Sequence, residues 1–239
     1  ALRLTGGLDA RRLEAALRGL VERHEILRTT FAMQDDEPCQ LVHPAGKLAL
    51  AVEDIPDPVE LDGRMRAEAS KPFDLTRGPV LRAVLFRLAP DRHVLLVTLH
   101  HIACDGWSLG VMVREVAAFY AGAGDALGDV ALHYADYVEW QGTGLTDEVL
   151  ASQIDYWKGE LTGAPTVLEL PSDRLHSPVQ HGTGGTLRRH LPTSLSDRLN
   201  KAASRHGATP FMLALASWAV LLNRLMGADA LLVGTPVAN

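Results

Sequence analysis

The sequence predicts a mixed α/β fold with antiparallel hairpins in its first half. Two apolar runs of β character, Val80 to Leu88 and His93 to Leu99, follow one another across a turn at Pro90-Asp91-Arg92. Apolar stripes at helical spacing alternate with such runs. After residue 185 the order strand, helix, helix, strand starts again. A chain of 239 residues is long enough for one large domain or two small ones.

The elements can be taken in order. Ala1-Leu2-Arg3-Leu4-Thr5 reads as a strand. Asp9 suits the N-cap of a first helix, with Leu8 and Leu13 spaced as a hydrophobic staple. Leu13, Ala16, Leu17, Leu20 and Val21 then form its apolar stripe. Leu27 to Phe31 and Gln40 to His43 read as strands joined through the turn-prone Gln34-Asp35-Asp36-Glu37-Pro38. Leu48 to Val52 reads as a further strand, and Val59 to Ala69 as a polar helix. Past the paired runs, Leu109, Met112, Val113, Val116, Ala117 and Tyr120 recur on one helical face, closed by Gly122 and Gly124. Helical patterns cover Tyr134 to Trp140 and Thr146 to Leu161. Residues 163–185 carry Pro165, Pro171, Pro178 and four glycines, and read as a linker between lobes. Thr186 to Leu191 reads as a strand, and Ser194 with Asp197 as a capping pair for a helix that Gly207 ends. Thr209-Pro210 supplies a cap and an N1 proline for a long apolar helix ending near Gly227. A last strand falls within Leu231 to Asn239, and both ends read as cuts through a larger fold.

Composition narrows the function. Hydrophobic residues make up 47% and charged residues 22%, as in ordinary globular proteins. A net charge of −6 without a basic run argues against nucleic acid as a partner. Cys39 and Cys104 are too few and too far apart for a disulfide framework, which suits the cytoplasm. No apolar stretch has the length of a membrane span, and no signal peptide opens the sequence.

The most informative stretch is His100-His101-Ile102-Ala103-Cys104-Asp105-Gly106, at the end of the run Val94 to Leu99. Histidine takes and gives protons near neutral pH, and a strand end holds it rigidly while leaving it reachable. Adjacent histidines on an extended backbone point to opposite faces, so His100 and His101 do not chelate one ion together. With no Cys–Cys pair or His-x-x-x-His spacing elsewhere, no metal is expected. The opposed geometry suits divided labour, one histidine facing a cavity and the other packed. Asp105 then orients a catalytic group, anchors the loop, or caps the helix that follows. The Asp-Gly pair reads as a tight turn in which Gly106 can take positive φ. Cys104 reads as a small buried residue rather than a nucleophile. Ser108 reads as a cap, because no Gly-x-Ser-x-Gly turn surrounds it.

Four segments together resemble one family. His100 to Ser108 resembles the HHxxxDG signature of condensation domains of nonribosomal peptide synthetases. Arg23-His24-Glu25-Ile26-Leu27-Arg28-Thr29-Thr30-Phe31 is similar to their RHExLRTxF motif, and Tyr134 to Trp140 to YxDYAxW. Val233 to Asn239 resembles VGTPxAxR, stopping before its arginine. The resemblance covers the whole sequence. It implies two lobes like chloramphenicol acetyltransferase: residues 1–162 as the N-terminal catalytic lobe, 163–185 as the interlobe linker and 186–239 as the beginning of the C-terminal lobe. The family's opening helix and arginine, and most of its second lobe, have no counterpart here.

The resemblance also implies the reaction. The amine of an acceptor aminoacyl thioester attacks the carbonyl of a donor acyl or peptidyl thioester. Both substrates hang on 4′-phosphopantetheine arms of peptidyl carrier proteins, the donor upstream and the acceptor downstream, beside an adenylation domain. No cofactor is implied for the domain itself. His101 is the implied catalytic residue, supported by His100, Asp105, Gly106 and Arg28, with Trp107 and Ser108 as candidates for lining the substrate tunnel. Asp105 is implied to clasp the loop by pairing with an arginine of the upstream motif, here read as Arg28. By the chemistry of the reaction, a backbone N–H near Gly106 is a candidate to contact the oxyanion. An epimerisation domain shares HHxxxDG and is the first alternative. A non-catalytic platform that recruits other enzymes is the second, and the intact His101 with Asp105-Gly106 argues against it.

Overall fold

A computed structural model describes residues 1–46, 48–168, 170–171, 185–227 and 229–235. The chain divides into two compact units, Ala1–Asp147 and Glu148–Asn239.

In chain order the first unit carries β1 (Leu2–Thr5), α1 (Ala10–Arg23), β2 (Thr29–Gln34), β3 (Glu37–Val42), β4 (Ala51–Asp54), α2 (Pro58–Ala69), β5 (Leu81–Ala89), β6 (Arg92–Leu99), α3 (Gly106–Ala121) and α4 (Tyr134–Gly144). Four strands form one sheet in the order β1-β6-β5-β4. β1 and β5 run antiparallel to β6, and β4 parallel to β5. β2 and β3 form a separate hairpin.

Side chains on a strand alternate between faces, yet β5 and β6 are almost continuously apolar, because both faces of this sheet are covered. Ala83, Leu85 and Leu95 pack with Leu13 and Leu17 of α1 on one face. Val84, Phe86, Val94 and Leu96 pack with Ile55 on the other, where Leu61 and Met65 of α2 join them. The stripe expected on α1 is the one buried: Leu13, Ala16, Leu17, Leu20 and Val21. Asp9 caps this helix, accepting from the N–H groups of Arg11 (2.9 Å) and Arg12 (3.1 Å). α3 lies on the α1 side, with Val116 and Tyr120 against the core. Gly19 lets the two helices approach, since a Cβ there would meet the Phe119 ring at 2.9 Å.

The structure departs from the sequence reading at several places. Leu27 and Arg28 lie in a 3-10 turn, Glu25–Arg28, rather than in a strand. Leu27 N–H bonds to His24 O and the Thr29 hydroxyl to Glu25 O, closing the corner between α1 and β2. β4 begins at Ala51 rather than Leu48, because its ladder with β5 starts at the Ala51–Val84 pair. On α3, Leu109, Val113 and Ala117 are exposed, and the residue buried is Glu115. The packed face is therefore rotated from the expected one, toward Met112, Val116 and Tyr120.

The second unit contains α5 (Asp147–Leu161, which opens at the boundary), α6 (Thr193–Arg205) and α7 (Pro210–Met226). Thr209 caps α7 as expected, and Gly227 ends it at φ 68°. Ser194 and Asp197 lie inside α6, whose N-cap is Pro192 without a side-chain bond. Residues 185–191 and 231–235 form no strand. A strand needs a neighbour for its backbone groups, and the described residues of this unit contain none. Most of the 163–185 linker and the segment 236–239 lie outside the described residues. Among the described residues no single helix is long and apolar enough to cross a membrane.

Candidate active site

The two histidines sit where the buried β6 ends. His100 continues the pairing by one bond, its N–H donating to Val80 O at 2.9 Å. The chain then turns tightly, with Ala103 N–H on His100 O at 3.0 Å. The His100 ring closes the turn: its Nδ1 accepts from Ile102 N–H at 3.1 Å, which leaves any ring proton of the neutral form on Nε2. The same ring stands edge-on to Phe73, centroids 5.7 Å apart. His100 is thus occupied in holding the loop. His101 lies in the turn and is exposed.

Asp105 caps α3. Its Oδ1 accepts from Ser108 N–H at 2.8 Å and from the Ser108 hydroxyl at 2.6 Å. Ser108 Oγ in turn accepts from Asp105 N–H at 3.2 Å, completing a capping box. The Ser108 hydroxyl, followed by its N–H, holds the Asp105 carboxyl below the usual range. Gly106 is the first residue of α3 and does not take positive φ, so the tight-turn role expected of it is absent. Space around its Cα is open. Cys104 is half-buried, and burial, reinforced by the Asp105 charge, pushes its thiol up. That favours the inert thiol over the nucleophilic thiolate. The Trp107 side chain is 78% exposed.

The expected Arg28–Asp105 clasp does not form. Arg28 donates to His43 O at 2.6 Å and to Glu25 at 3.2 Å. It leaves the 3-10 turn toward the end of β3, while the Asp105 carboxylate is committed to its own helix. The upstream motif reaches α3 at a different residue. Arg23 Nε lies 3.3 Å from one oxygen of buried Glu115, and His24 Nε2 lies 2.5 Å from the other. Arg23 also donates to the carbonyls of Gly128 (2.5 Å) and Leu127 (3.3 Å). The sequence motifs do not mark Arg23, His24 or Glu115 individually as site residues. One signal was readable: Glu115 falls between Met112 and Phe119 at helical spacing, on an otherwise apolar face.

The upstream motif and the histidine loop enclose a cavity of about 160 Å³, lined by His24, Ile26 and Leu27 from one and Cys104, Trp107 and Ser108 from the other. Of the predicted site residues, Trp107 and Ser108 line it, with Cys104 beside them; His100, His101, Asp105 and Gly106 lie on the same segment outside its lining, and Arg28 stands apart on the β3 side. Among the described residues no three His, Cys, Asp or Glu side chains group as metal ligands.

The structure thus leaves one imidazole, that of His101, exposed on a loop pinned between a buried strand and a capped helix, a group able to give or take a proton or to hold a hydrogen-bonding partner. The Condensation domain family model matches residues 1–239, and the chain belongs to that family. It is 42% identical over 249 residues to a linear gramicidin synthase of Brevibacillus parabrevis, covering 100% of this chain and 5% of that one. It is 37% identical over 236 residues to surfactin synthase subunit 1 of Bacillus subtilis (strain 168), covering 99% and 6%. Among solved structures, the X-domain from teicoplanin biosynthesis superposes with a TM-score of 0.83 at 36% identity, covering 93% of this chain and 51% of that one. The condensation domain of the Monacolin K polyketide synthase MokA gives 0.74 at 26% identity, covering 95% and 54%. The chain thus spans a twentieth of the gramicidin relative and about half of each of these two solved structures.

Proposed function

We propose that this chain forms an amide bond between two carrier-bound thioesters, with His101 at the reacting amine. The acceptor nitrogen attacks the donor carbonyl carbon and a C–N bond forms. The tetrahedral adduct then collapses with loss of the C–S bond. The phosphopantetheine sulfur leaves, and the amine proton passes to it or to solvent. His101 hydrogen-bonds the amine, either accepting that proton or only holding the nitrogen on its line of attack. The observation that carries this reading is the division of the pair, with His100 tied into the turn and His101 exposed beside it. Membership of the condensation family supports it.

In this reading residues 1–162 serve as the catalytic lobe and 186–239 open the second, whose remainder closes the tunnel. Peptidyl carriers upstream and downstream deliver the substrates on 4′-phosphopantetheine, an adenylation domain loads them, and the work is done in the cytoplasm. Trp107 and Ser108 face the substrate side, and Gly106, open around its Cα, leaves room for the thioester. In the intact protein with two loaded carriers, His101→Ala should lower dipeptidyl-carrier formation by about a hundredfold or more. Undiminished product, read by mass spectrometry of the carrier, would refute the assignment.

A second reading has one observation in its favour. The X-domain that this chain resembles has also been solved in a complex with OxyB, against which the chain superposes with a TM-score of 0.79 at 36% identity. A platform would retain a second enzyme beside a carrier-bound peptide and form no amide. Wild-type turnover of two loaded carriers separates the readings. Epimerisation would instead appear as exchange of the α-proton with deuterated solvent on a single loaded carrier.

A further inference from the structure

We infer that Glu115, gripped by Arg23 and His24, is a positioning residue for His101: it sets where α3 lies along α1, and hence where the histidine loop sits. This rests on the catalytic reading above. Glu115 is the buried residue of α3, and a carboxylate is seldom buried without partners. Here both its oxygens are engaged, by Arg23 at 3.3 Å and His24 at 2.5 Å, at the last residue of α1 and the next. Arg23 reaches on to the carbonyls of Leu127 and Gly128, beyond the C-terminal end of α3. One cluster therefore joins the end of α1, the middle of α3 and the segment after it.

Apolar packing alone does not locate α3 along its axis to this degree. Ridges of side chains can slide one helical turn and still fill grooves, whereas a two-point polar clamp has one geometry. Three further contacts tie the helices together, and all tolerate sliding better. The Arg12 guanidinium lies over the Tyr120 ring at 5.2 Å, a contact of loose geometry on a flexible side chain. Phe119 lies over Gly19, a flat ring over a bare Cα. The Tyr120 hydroxyl accepts from Asp9 N–H at 3.0 Å, a single neutral bond at an exposed end of α1. At the other end of α3 stands the Asp105–Ser108 capping box, joined through Cys104 and Ala103 to the His100–His101 turn. A helix transmits an axial displacement along its length. Relaxing the clamp therefore moves the loop, and displacement of a catalytic group by about 1 Å costs on the order of a hundredfold in rate.

The test compares Glu115→Gln and Glu115→Ala with Phe86→Leu in the intact protein. Phe86 packs on the α2 face of the sheet, so its shortening removes stability without touching α1 or α3. Each variant is assayed for kcat and KM toward the two loaded carriers, for melting temperature, and for amide exchange at Ile102 and Ala103. Expected for Glu115→Gln, which keeps one acceptor for Arg23, is a fall of about tenfold in kcat. KM should be nearly unchanged, and exchange at the two loop amides faster. Glu115→Ala should be worse on each count, and Phe86→Leu should lose melting temperature but keep kcat and slow loop exchange. Should Glu115→Ala fail to fold, the Gln variant carries the test. Wild-type kcat with slow exchange in Glu115→Gln, or equal loss of kcat in Phe86→Leu, overturns the inference. His101→Ala separates the two ideas: if it retains activity the catalytic reading falls, while loop exchange in the Glu115 variants still reports on the clamp.

Discussion

At the scale of single residues, Asp105 shows how position decides what a carboxylate does. It stands four residues past His101, within reach of a catalytic or clasping role by spacing, and commits its acceptor to Ser108. Its folded-state ionisation lies below that of a free carboxyl, so the cap is fully formed above the ordinary aspartate range. Its contribution is lost as pH falls through the lowered value. Asp105→Ala should therefore lower the melting temperature at neutral pH. Asp105→Asn, which keeps a capping oxygen, should stay near wild type, and the gap between Ala and wild type should shrink in acid. Thermal unfolding followed at neutral and acidic pH checks this. A folded Asp105→Ala with unchanged melting temperature and no activity would instead give Asp105 a direct chemical role.

At the scale of elements, the β2–β3 hairpin turns through Asp35 and Asp36, at φ 52° and 64° between the paired Gln34 and Glu37. Two positive φ values in a two-residue loop match the right-handed twist of the strands it joins. Aspartate tolerates that region and glycine does so without steric cost, so Asp36→Gly should raise stability by about 0.5 kcal/mol. The midpoint of urea unfolding reads it. The hairpin was legible because its signals are local. The Glu25–Arg28 turn was not, since β-propensity at Leu27-Arg28-Thr29-Thr30-Phe31 competes with bonds that fold the chain back onto His24 and Glu25. The packed face of α3 departs from its spacing for a related reason. Spacing alone favours Leu109 and Val113, and only partners elsewhere in the chain offset the cost of burying Glu115.

At the scale of the whole molecule, the first unit is a sheet with helices on both sides, and its most deeply buried side chains include Leu81, Leu85 and Phe86 of the central strand β5. Leu85 of β5 is 0% exposed and joins α1 to the sheet. Leu85→Ala should destabilise this unit by about 2–5 kcal/mol, measured by urea unfolding with an unchanged dependence on denaturant. The sequence by itself determined the family, the order of most elements, the apolar face of α1, the caps at Asp9 and Thr209, and the histidine loop. Each of these is written in residues near one another along the chain, as periodicity, capping pairs or a contiguous motif. Tertiary structure alone decided that Arg28 turns to His43 and that the upstream motif grips α3 through Glu115. Those outcomes depend on which groups meet across tens of residues, where a charge or a hydrogen bond chooses the nearest partner of suitable geometry, and sequence spacing does not specify that distance.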